Sequence, residues 1–160
     1  MRKLVLSLIC FCFFAGAFAQ KNLTSAQKSF QNSIVSFLRE EGYSPSIDSD
    51  GWIAFKSEGK NFWIIITDES PFSVIFQRSG FKVGEDDGFE FIGSLWACNE
   101  VNKELMAVKM YCNREKVSLQ IEQYTRSAED FKYVFYKNLA VLAQAAKRFV
   151  EEYDDFQKDQ

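Results

Sequence analysis

Along this chain the repeat of apolar residues changes from 3.6 to two and back again, and that change limits the fold more than any other feature. Leu23, Phe30, Ile34, Phe37 and Leu38 recur at helical spacing and predict an amphipathic helix over residues 21–41. Thr24 with Gln27 three residues later is a capping box, in which each side chain satisfies a free backbone N–H of the other. Gly42 follows, placed to end the helix in the left-handed conformation.

Residues 43–83 then alternate. Runs at 52–56 and 62–67 predict two strands joined by a short hairpin loop at 57–61, with a third strand over 72–78. Glu85-Asp86-Asp87 places negative charge where a helix start favours it, ahead of a helix over 89–105. Phe91, Leu95, Cys98, Asn102 and Leu105 form the side of that helix expected to face the sheet. A second hairpin, 107–113 with 116–124, turns at Arg114-Glu115. There Val117, Leu119 and Ile121 alternate with Ser118, Gln120 and Glu122, which predicts one buried face and one wet face. Ser127 caps a last helix whose stripe is Phe131, Phe135, Leu142, Ala146, Phe149 and Tyr153, and the charged residues after Tyr153 predict fraying. The predicted class is α+β: an antiparallel sheet of about five strands with helices packed against it, in the order α-β-β-β-α-β-β-α.

Residues 1–19 read as a signal peptide. Arg2 and Lys3 precede an apolar run, and Ala17-Phe18-Ala19 supplies the small residues three apart that a signal peptidase accepts. That run is shorter than the roughly 20 residues a bilayer span needs. A lipoprotein site requires a small residue before the cysteine, whereas Ile9 precedes Cys10 and Phe11 precedes Cys12. The expected product is one domain over residues 20–160, periplasmic or secreted, with no stable membrane insertion after cleavage. The formal charge of −3 becomes −5 once Arg2 and Lys3 leave. An acidic balance argues against nucleic acid as a partner, because that surface demands a basic footprint.

The chain has no histidine. Ser-His-Asp and Cys-His catalysis and most zinc sites are therefore excluded, and no spacing of carboxylates demands an acid–base pair. No catalytic residue, cofactor or metal site is read, and the expectation is a protein that is not an enzyme. Ser46-Ile47-Asp48-Ser49-Asp50-Gly51 invites comparison with a calcium loop, yet with Ser46 as the first ligand position the twelfth falls on Ser57 and the glutamate arrives one residue late at Glu58. A turn with Gly51 at positive φ accounts for the same residues.

Cys98 and Cys112 remain after leader removal. A bridge between them would close a loop of about 15 residues and stabilise by ~3 kcal/mol. Two reduced thiols acting as small apolar fillers fit equally well. The spacing is not that of a C-x-x-C redox pair. Among the 13 Phe, 6 Tyr and 3 Trp of residues 20–160, most belong to the core; Trp52, Trp63 and Trp96 are the candidates for a groove or dimer surface.

Four stretches resemble the YbjN-like family of bacterial sensory transduction regulators, within the type III secretion chaperone-like fold. They are Ile34-Val35-Ser36-Phe37-Leu38 leading to Gly42-Tyr43, Asp50-Gly51-Trp52-Ile53-Ala54-Phe55, Phe62-Trp63-Ile64-Ile65, and Trp96-Ala97-Cys98-Asn99-Glu100-Val101-Asn102. The resemblance implies an open antiparallel sheet with helices against it, no catalytic residues, and work done through protein contacts. Proteins of the wider fold dimerise and hold extended segments of other proteins, but they are cytoplasmic, whereas this chain carries an export signal. The function expected is an exported protein-binding or adaptor module whose partner is another protein or a second copy. The alternative is a carrier of a small ligand or lipid in an apolar pocket between sheet and helices.

Overall fold

The computed structural model describes residues 23–67, 72–83 and 88–158. The signal peptide expected over 1–19 and the acidic run 85–87 lie outside the described residues. The elements are α1 (Ser25–Glu40), β1 (Ser46–Ile47), β2 (Ile53–Ser57), β3 (Lys60–Ile66), β4 (Phe72–Lys82), α2 (Gly88–Glu104), β5 (Lys109–Cys112), β6 (Lys116–Thr125) and α3 (Ala128–Lys158). They form an α+β fold with one six-stranded antiparallel sheet in the order β1-β2-β3-β4-β6-β5. The predicted order holds, with one short strand, β1, added before the first hairpin.

α1 begins with the predicted box, Thr24 and Gln27 each holding the other's backbone N–H. Gly42, at φ +85°, turns the chain out of the helix. The β2–β3 loop is tighter than predicted. Ser57 pairs directly with Lys60, so only Glu58 and Gly59 make the turn, at φ 50° and 73°. Two consecutive positive-φ residues match the twist of the strands they join. β4 runs four residues past the predicted Arg78, because Phe81 pairs again with Val117 beyond an irregularity.

All three helices pack against one face of the sheet. Ile53, Phe55, Phe62, Ile64, Val74, Phe76, Leu119 and Ile121 meet Phe30, Ile34, Leu38, Phe131, Phe135 and Leu142 there, all buried. The centre is aromatic. Phe76 lies 5.6 Å from Phe135 and 6.0 Å from both Phe55 and Phe131, ring centroid to centroid. Such pairs add about 0.5–1.5 kcal/mol each beyond area burial.

α2 rolls differently from the prediction. Ser94, Ala97, Cys98 and Val101 are buried, whereas Leu95 and Trp96 are exposed. Small residues let α2 approach α3, where Gly93 fits under Tyr153 and Phe156. Beyond Tyr153, where charge predicts fraying, α3 continues to Lys158, and Phe156 packs on Trp96 at 5.7 Å. Arg148 ties the two helices by donating twice to Glu104, at 2.8 Å each. Among the described residues, no helix is long and apolar enough to cross a membrane.

Candidate binding site

No described helix packs on the second face of the sheet, and its two halves differ chemically. Strand alternation puts Trp52, Ala54, Trp63, Ile65 and Ile75 together on the β2–β3–β4 half, with Trp63 paired to Ala54 and Ile65 to Ile75. Ile65 is buried between these neighbours. The β6–β5 half is polar: Gln120 donates to Glu122, and Lys109 pairs with Glu122 at 3.0 Å. The Lys109 hydrogen bond holds the Glu122 carboxyl below its usual range. Ser118 and Gln120, predicted to be wet, are buried, since cross-strand neighbours cover them: Tyr111 pairs with Ser118 and lies across Gln120.

The two sheet edges also differ. At β5, the Asn102 side chain accepts from Met110 N–H and donates to Met110 C=O, both at 2.9 Å, as another strand would. At the other end β1 covers only Ile53 and Ala54 of the five-residue β2. Asp48 N–H donates to Trp52 C=O, so the outward groups of β2 belong to Trp52, Ala54 and, two further on, Lys56. Beside that unpaired stretch lies a groove of about 460 Å³ lined by Tyr43, Ser46, Ala54, Lys56, Phe62 and Trp63.

A second opening lies on the helical side. Residues of α3 and the β2–β3 hairpin enclose about 400 Å³, with Arg78, Lys60 and Glu58 among the lining and Phe62, Leu139, Ala140 and Ala143 as apolar wall. β4 carries Arg78 in the phase of Val74 and Phe76, opposite Phe62, on the covered face. Between Arg78 and Phe81 three steps of β4 match two of β6, a bulge. A Cβ on Gly80 would come 1.7 Å from the Val117 carbonyl oxygen, so only glycine fits there. Burial lowers the Arg78 pKa from its ordinary value. Tyr136, also on this wall, donates to the Glu41 carboxylate, and that bond pushes its phenol up to about 12.

The residues singled out from sequence fall in separate places. Trp52 and Trp63 share the open face, while Trp96 sits on the outside of α2 against Phe156. Cys98 and Cys112 are free thiols, Cys98 buried and Cys112 half-buried. Burial, with a smaller contribution from Cys112, pushes the Cys98 thiol up to about 12. Asp48 spends its carboxylate on the backbone N–H groups of Asp50 and Trp52, which makes it a turn organiser. Arg78 escaped the sequence reading, although a charge in the inward phase of an alternating strand was the signal for it. Comparison with protein-family models, curated proteins and solved structures finds no match to this chain.

Proposed function

We propose that this protein is an exported, non-enzymatic protein-binding module that takes an extended segment of another polypeptide at the β2 edge. One observation carries the reading: the uncovered stretch of β2 lies beside a groove and the Trp52–Trp63 surface. A segment continuing the line of β1 would pair with Lys56 and lay alternate side chains into the groove and against Trp63. The resemblance to the YbjN-like family implies the same kind of work, contact without catalysis.

The test uses residues 20–160 as bait in the protein's own envelope and medium fractions, with mass spectrometry as readout. Wild type is expected to retain one saturable protein, lost with Lys56→Pro, which removes the outward N–H without touching the β2–β3 ladder. Circular dichroism checks that the variant folds. Retention that survives both Lys56→Pro and Trp63→Arg, or no saturable protein at all, overturns the proposal. The cleft at Arg78 favours a second reading, carriage of a small ligand between sheet and helices.

A further inference from the structure

Arg78 is the anomaly of the covered face. From Ile53 to Phe55, Phe62 to Ile66 and Phe72 to Phe76 the inward positions of β2, β3 and β4 are apolar, and the polar Ser57 and Lys60 share that phase only at the hairpin end. Among the described residues Arg78 makes no ion pair, and its one hydrogen bond is a long 3.5 Å contact to the carbonyl of its neighbour Ser79. A guanidinium has five N–H donors in a fixed fork. Arg148 shows how this protein treats an arginine that serves structure: it meets Glu104, Glu151 and Glu152. Arg78 is half-buried with most of its donors unused, and burying an unpaired charge is costly.

The surroundings keep this arrangement in place. The bulge that needs Gly80 sits directly after Arg78, and bulges are a common device for re-aiming a neighbouring side chain. On α3, Ala140 and Ala143 stand where larger residues would close the gap, and the opening of about 400 Å³ is within the range of small-molecule sites. Lys60 adds a second positive charge at the hairpin, Glu58 opposes it, and Glu41 is engaged by Tyr136.

We propose that the cleft between α3 and the β2–β3 hairpin binds a small organic monoanion, a carboxylate on a compact apolar body, with the Arg78 fork as its partner. The planar fork suits a carboxylate bidentately. The local balance, two cations against Glu58, favours one negative charge over a doubly charged phosphate. Phe62, Leu139, Ala140 and Ala143 receive the apolar body. The assignment rests on the ligand-carrier reading and names the ligand class for it.

The experiment is a ¹H–¹⁵N NMR titration of residues 20–160 with 4-phenylbutyrate, its neutral amide, and acetate. Saturable shifts are expected at the Arg78 Nε–H and the Ala140 and Ala143 amides with 4-phenylbutyrate. The amide and acetate should bind about tenfold or more weakly, the loss that a missing charge-assisted pair or apolar contact produces. Arg78→Met should weaken 4-phenylbutyrate to the level of the amide, and Ala143→Phe should block all three probes while leaving the charge in place. Should Arg78→Met fail to fold, the acid–amide comparison on wild type and the Ala143→Phe block decide alone. An amide that binds as tightly as the acid, or unchanged binding in a folded Arg78→Met, overturns carboxylate recognition and leaves ligand carriage standing. No saturable shift at the cleft with any probe overturns both.

Discussion

The two faces of the sheet are built from the same strands yet obey different rules. On the covered face, Phe76 touches four other aromatic rings and is fully buried; its neighbour Ile75 points the other way and remains half-exposed between Ile65 and Glu122. One face is filled to the point where almost nothing can be exchanged. The other is a surface with an apolar half and a polar half. The difference teaches where this fold keeps its stability and where it has freedom to interact.

Consecutive residues make the sharpest test of that contrast. Phe76→Ala is expected to cost about 3–5 kcal/mol, the usual loss for deleting a buried aromatic. Ile75→Ala should cost about 1 kcal/mol or less. Urea denaturation of both variants measures the gap, and equal midpoints would mean that the second face is also a core. Gly80→Ala attacks the point where the ladder shifts register. The added methyl meets the Val117 backbone, and a loss of about 2 kcal/mol is expected on thermal melting. One small effect has the opposite sign. Arg78→Met keeps the stem and removes the unpaired charge, so a gain of about 1 kcal/mol is expected by the same denaturation assay. A loss instead would show that Arg78 serves the core.

Local grammar was legible in the sequence; packing was not. The Thr24–Gln27 box and the Ser127 cap each appear where the residues place them, because each depends on neighbours a few positions away. The roll of α2 depended on a distant surface. Leu95 looked inward by hydrophobicity, but close contact with α3 favoured Gly93, Ser94 and Ala97. Ser118 and Gln120 were read as wet since polar residues usually are, and their burial comes from strands paired far along the chain. Of the candidate surfaces, the aromatic residues were visible in advance. The unpaired β2 edge was not, because it exists only through the shortness of β1.

The Asn102 amide on Met110 has a consequence for how many molecules can join. A sheet whose two edges were both free could add chain after chain into a filament. Among the described residues, Met110 at one edge is already engaged by a side chain, which leaves β2 as the open place for strand addition. Pairing there, with a partner segment or with a second copy about a two-fold axis, exhausts the valence. An assembly formed that way would stop at two polypeptides.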